Sequence, residues 1–409
     1  MRKRMLHSIA GFIAAGILAG CAQPQAQEAS TDIQSRQAQM AAVDPMGELS
    51  RDYYGDHRET GGEIAFVSDG VVMDGDCNEA VYEGIRMYAL SAGVSFSCYS
   101  AQDGTQDSRT AALRSAVDNQ AQVVVCLGRD FREAVEKLQD SCPDIFFLLI
   151  DQAPEEAADE LEENVHEVSF REEESAYLAG YLTVLEGHHR LGFIGGGKTP
   201  SVMRYGYGYL KGIDDAASEL ELDDVAVNCW YAETGRPSPE IYEKAAQWYA
   251  GGTEVIFACG GTLFESVLEA ANKEDGLLIG ADVDRSGLSE RFLTSAEKGI
   301  ANAVAISLDE YYAAGKRWPE GLAGQNVRYG TAQNCAGIPV FDTEWRFRNV
   351  TMEQFYEVYK KIRQGEVSVP DETGKAPEVS VTLLSCAGSD SSCGLVSIRE
   401  NPGCQRMEC

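Results

Sequence analysis

Residues 122–150 read QVVVCLGRDFREAVEKLQDSCPDIFFLLI. The stretch opens on the apolar run Gln122-Val-Val-Val-Cys-Leu127, continues through an amphipathic segment over 130–140, and closes on a second apolar run, Ile145-Phe-Phe-Leu-Leu-Ile150. Short β-branched runs of this kind suit strands buried on both faces, and a helical segment between two of them is a βαβ unit of a parallel sheet. Outward from it the rhythm repeats. Upstream lie Glu63–Val67 with a helical pattern at 78–92, and Val94–Tyr99 with one at 106–118. Downstream, after an acidic break at Glu155–Asn164, helical patterns at 173–187, about 201–220, 238–250 and 263–273 alternate with the runs Arg190–Ile194, Val225–Tyr231, Val255–Cys259 and Leu277–Ala281.

Two successive α/β sets predict two similar lobes, each a doubly wound parallel sheet. A strand at Phe292–Ser295, a helix near 298–313, short strands around 326–341 and a helix at about 351–364 follow both sets, so the chain is expected to cross back and complete each lobe. The expected division is 61–172 plus about 286–325 for the first lobe and 173–285 plus about 326–370 for the second. Residues 371–409 hold Ser, Gly and four cysteines without an aromatic residue and read as a disordered tail.

The N-terminus reads as an address. Arg2, Lys3 and Arg4 precede a short apolar run from Ile9 to Leu18, too short for a stable membrane span. The run ends in Leu18-Ala19-Gly20-Cys21, which resembles the bacterial lipobox, so residues 1–21 are expected to be a lipoprotein signal with Cys21 as the acylated anchor. Residues 22–60, rich in Gln, Ala, Ser and Asp, are expected to be a flexible tether. The whole chain has 34 basic and 65 acidic residues, a net charge of −31 that disfavours nucleic acid and anionic lipid surfaces as partners. Of twelve cysteines, Cys98, Cys126, Cys229 and Cys259 sit in strand-like runs as small hydrophobes, and no Cys-x-x-Cys pair occurs. No metal site or cofactor is expected.

Gly192-Phe-Ile-Gly-Gly-Gly197-Lys198-Thr199 matches the expression of an ATP phosphate loop. Its first Gly lies inside a predicted strand and Pro200 places the helix start after the match, so a Gly-rich turn beside a ligand cleft is the better reading. Polar residues gather at other strand ends. The first turn, Ser68 to Glu79, holds Asp69, Asp74, Asp76 and Asn78, each equally readable as a helix cap; Asp151 closes one strand, and Asp282 with Asp284 closes another. Such carboxylates suit a polyol, since each accepts two hydrogen bonds from adjacent hydroxyls. Lys298 adds a donor, and no Ser/His/Asp or Cys/His arrangement marks an enzyme.

The turn Asp69–Asn78 with Glu83-Gly84, the helix Glu174-Ser-Ala-Tyr-Leu-Ala-Gly180, Leu191–Gly196, Ala246–Gly261, Ile279–Asp284 and Leu293–Lys298 together resemble the basic membrane protein family over roughly residues 61 to 370. These are substrate-binding lipoproteins of ABC importers, with purine nucleoside receptors among them. The resemblance implies a type I periplasmic-binding-protein fold with a three-strand hinge, a small ligand closed between the lobes, no catalysis, and permease and ATPase subunits as partners. Carried over, it implies that Asp74, Asn78 and Asp151 meet a nucleobase, that Gly260 lets backbone approach the ligand, and that Asp282 and Lys298 hold ribose hydroxyls. Cys77 stands where nucleoside receptors have a stacking aromatic, which leaves Trp230 or Tyr231 for one face of a base and Tyr205 for the other. Arg204 is placed either to meet an anionic group or in solvent. A sugar or anionic metabolite, or a sensor lipoprotein of the same fold, is the alternative.

Overall fold

Strand β1 (Glu63–Ser68) begins a first set of elements: α1 (Cys77–Ala92), β2 (Ser95–Ser100), α2 (Gln106–Asp118), β3 (Ala121–Leu127), α3 (Arg132–Gln139), β4 (Phe146–Ile150) and β5 (Val165–Phe170). A second set follows: α4 (Glu172–Glu186), β6 (Arg190–Gly195), α5 (Pro200–Glu219), β7 (Ala226–Tyr231), α6 (Pro239–Ala250), β8 (Val255–Cys259), α7 (Phe264–Glu274), β9 (Leu277–Asp282) and β10 (Phe292–Lys298). The chain returns through α8 (Ile300–Ala313) and β11 (Gln325–Tyr329), then leaves again through β12 (Ala336–Gly337), α9 (Met352–Arg363) and β13 (Thr382–Ser385). The structure is a computed structural model; it describes residues 63–101, 103–152, 161–340 and 345–385, all inside the unit Tyr53–Cys409. The signal, Cys21, the tether and residues 386–409 lie outside the described residues.

Two sheets result, ordered β11-β5-β4-β3-β1-β2 and β12-β10-β9-β8-β6-β7-β13. Every pairing is parallel except β10 with β12. The fold class read from the alternation therefore holds. β3 and β4 are central because their runs are apolar on both faces, and Val123, Val124, Val125, Phe147, Leu148 and Leu149 are fully buried. α1 and α8 cover one face, with Tyr88 stacked on Tyr312 at 5.4 Å between ring centres. In the second lobe α4 and α5 approach almost backbone to backbone. A methyl added at Gly212 would strike the carbonyl of Tyr177, and one at Gly208 that of Glu173, so only glycine permits the contact. Side-chain caps start the helices where the sequence places them: Thr199 ahead of Pro200 for α5, Ser238 ahead of Pro239 for α6.

Three expectations about boundaries change. β10 belongs to the second sheet and β11 to the first, so the later crossings fall at Gly299 and between Tyr329 and Ala336, with the first at Arg171. β5 was hidden by polar residues in an edge-like run, yet it is buried throughout. Its Glu167 is satisfied by Arg132 at 2.7 and 2.9 Å and by Asn326 at 3.0 Å. The reading of a tail from residue 371 fails as far as Ser385: Asp214 accepts from the amides of Ser380 and Val381, and β13 then pairs with β7.

Candidate functional site

The two sheets face each other across a cleft at the C-terminal ends of their parallel strands, where open α/β sheets bind ligands. Asp151 directly follows β4 and Asp282 ends β9, and both have left-handed backbone, φ 64° and 71°, a conformation Asp tolerates better than most residues. The turn aims each carboxylate out of its sheet. β10 ends in Lys298, whose Nζ lies 2.9 and 3.0 Å from the Asp151 oxygens and 3.1 Å from Asp282 Oδ1. One ammonium thus joins a carboxylate from each lobe. Glu172, first residue of α4, stands 3.7 Å from the same nitrogen and accepts from Arg204 Nε at 2.7 Å. Tyr205 donates to Asp282 at 3.2 Å.

Burial alone would lower the Lys298 pKa, but Asp151 and Asp282 raise it well above its usual value. Burial likewise pushes Asp282 up, and Lys298, Arg285 and the Tyr205 hydroxyl outweigh it to hold the carboxylate below its normal range. Asp151 goes the other way: burial, with Asp282 and Glu172 adding like charge, prevails over Lys298 and raises it. The two carboxylates that share the lysine therefore differ in how firmly they stay ionised.

Beside this cluster opens a cavity of about 390 Å³. Asp69, Gly128, Arg129, Asp130, Asp151 and Gln152 wall it from the first lobe, and Glu172, Thr199, Ser201 and Arg204 from the second.

The structure gathers Asp151, Arg204, Tyr205, Asp282 and Lys298, as the sequence suggested, and Cys77 adjoins them. Burial, then Asp282 and Asp76, push the Cys77 thiol far up, so it is a neutral group at the cleft. Arg204 is buried against Glu172, not in solvent. Asp74 and Asn78 hold the first turn together: Asp74 accepts from Asn78 Nδ2 at 2.9 Å and from the Asp76 amide at 2.8 Å. Two proposed stacking residues are elsewhere. Trp230 packs against the α6 and α7 layer beneath Lys244, 5.5 Å from its ring, and Tyr231 packs edge-on to Phe193. Both follow from the alternation of β7, which sends successive side chains to opposite helix layers. Tyr205 is buried edge-on to Phe257 and serves Asp282 through its hydroxyl. Gly260, φ 113°, meets the backbone of Gly196, where a Cβ would come within 3.0 Å. The Gly192–Thr199 match begins inside β6, and its Gly192 lies under Trp248.

Glu172 and Arg285 were missed. A signal existed for the first: three consecutive glutamates at a helix start cannot all share one solvated face. In the structure Glu173 takes Arg328 at 2.9 and 3.0 Å, and Glu174 accepts from the Thr331 amide at 2.6 Å.

Two lobes built on mainly parallel sheets and joined by three crossings define the periplasmic-binding-protein type I fold. The solute-binding proteins of ABC transporter systems from Conexibacter woesei and Aeropyrum pernix share this fold, with TM-scores of 0.61 and 0.57 at 18% and 20% identity, covering 76% of this chain in each case and 99% and 94% of theirs. Residues 62–373 match the family described as ABC transporter substrate-binding protein PnrA-like, and the chain belongs to that family. Among its relatives, Basic membrane protein B of Borreliella burgdorferi is 29% identical over 68% of this chain and 80% of its own length. The ABC transporter nucleoside-binding protein BmpA of Lactococcus lactis is 24% identical over 58% of this chain and 67% of its own. The family binds substrate for ABC transporters and is not one of enzymes. Among the described residues no helix is long and apolar enough to cross a membrane.

Proposed function

We propose that this protein captures a nucleoside between its lobes outside the cytoplasm and delivers it to an ABC permease, held at the membrane through Cys21. The observation that carries the reading is Lys298 shared by Asp151 of one lobe and Asp282 of the other. Vicinal hydroxyls entering here find two strong acceptors and one donor, and they are engaged from both lobes only when the lobes are closed, so binding energy selects the closed form. A cavity of about 390 Å³ is within the range of small-molecule sites. The nucleoside-binding name of the Lactococcus lactis relative supports the choice of ligand.

A sugar is the second reading, favoured by the packing of Trp230 and Tyr231 against other elements of the second lobe. A thermal-shift panel of guanosine, inosine, adenosine, cytidine, ribose and galactose separates the two. Stabilisation by purine nucleosides, absent in Asp282→Ala, is the expected result. A shift with free sugars alone moves the assignment to the second reading, and no shift with any compound removes both.

A further inference from the structure

We propose that Asp76 and Arg285 form a latch across the mouth of the cleft, biasing the lobes toward closure before any ligand arrives. Asp76 belongs to the first lobe, where it caps α1 by accepting from the Cys77 amide at 2.8 Å. Arg285 belongs to the second, in the turn after β9. Its Nη2 donates to Asp76 Oδ2 at 2.8 Å, between residues 209 positions apart. Neither residue lies in a crossing segment, so a hinge rotation that opens the cleft separates them, whereas pairs built on the crossings, such as Glu173 with Arg328, move with the hinge.

The arginine is prepared for this role. Its amide is held by Ser295 Oγ at 3.0 Å, its guanidinium lies 4.6 Å from the Phe264 ring centre, and its side chain is 6% exposed. Among the described residues its buried Nε has no hydrogen-bond partner. A guanidinium so desolvated, with one of its donors idle, has its direct carboxylate contact in Asp76 while Asp282 acts on it through charge alone, and loss of that contact costs more than a surface pair contributes. Asp76 is 29% exposed, and its second oxygen is already held by the Cys77 amide. Opening the cleft rehydrates the carboxylate but strands the arginine, so the arginine drives closure. The pair touches Asp282 through charge, since Arg285 helps keep that carboxylate ionised, yet it needs no ligand to act.

The inference rests on the cleft being one that opens and closes, and its test is made without ligand so that a wrong ligand assignment leaves it intact. Hydrogen exchange is followed in the full chain at residues 127–130 and 199–204, segments that contribute to the cavity wall and do not include the pair, in about 50 mM and 1 M salt. Asp76→Asn keeps the helix cap while removing the charge. The latch predicts about tenfold faster exchange at both segments in Asp76→Asn, in Arg285→Gln and in the double variant alike, because either half alone is useless. It also predicts that high salt accelerates the wild type more than the variants, in which Lys298 with Asp151 is the ion pair left between the lobes. Effects of the two substitutions that add, or salt sensitivity in Asp76→Asn equal to that of the wild type, overturn it. Unchanged exchange in both single variants overturns it as well.

Discussion

Lys298 holds the site together, and the consequence of removing it is specific. Asp151, Asp282 and Glu172 would then face one another at the cleft with Arg204 and Arg285 left to offset them. Lys298→Met is expected to destabilise the fold by about 3–5 kcal/mol, as loss of one partner of a buried pair does; urea unfolding at neutral pH measures it. The loss should shrink at acid pH, where protonation of the raised Asp151 relieves the repulsion. Equal destabilisation at pH 5 and pH 7.5 would show that the lysine acts by packing alone. At this scale the sequence was informative about which residues sit at strand ends, because a polar residue closing a buried apolar run emerges where the strand leaves the sheet. It was silent on partners. Nothing local tells that Arg204 meets Glu172 or that Trp230 turns toward α6, since each depends on how one face of a helix or strand meets a neighbour distant in sequence.

Among the elements, α4 and α5 test how far close packing decides the second lobe. Gly212→Ala forces a methyl into the Tyr177 carbonyl, whereas Gly197→Ala, in the Gly-rich turn, meets open space at ordinary φ. The first is expected to cost about 1–3 kcal/mol of stability and the second to be near neutral; thermal denaturation of the two variants checks the contrast. Comparable costs would contradict the close approach of the helices. The apolar strands β3, β4 and β8 and the capped helices were legible because composition and periodicity both act locally. β5 and β13 were not. The first carries His166 and Glu167 into a buried position that distant Arg132 and Asn326 make tolerable. The second is a strand by virtue of the β7 edge it joins, a property of the neighbour more than of Thr382–Ser385.

At the scale of the whole molecule, the first lobe is sensitive to acid through His166. This ring is fully buried beside Trp318, and burial depresses its pKa to about 4. The unfolded chain, with a value near 6.5, binds the proton more readily, so the stability due to neutral His166 is complete above about pH 6.5 and lost as pH falls toward 4. The loss amounts to about 3 kcal/mol at 1.36 kcal/mol per unit. His166→Gln should flatten that part of the stability profile, and a profile of unchanged slope between pH 6.5 and 4 would rule the ring out as its source. The two α/β sets and their order were readable from alternation, and the cleft between them was what the family resemblance implied, but the two late crossings were displaced because a strand such as β10 carries no mark of which sheet it joins.

That the cleft is a receptor for a hydroxyl-bearing ligand, gripped by Asp282 and Lys298, is tested most directly by calorimetric titration of inosine into the full chain and its Asp282→Ala variant. Saturable one-site binding by the wild type, weakened at least a hundredfold or lost in the variant with the fold intact, is the predicted result. Equal affinity in both proteins would contradict it.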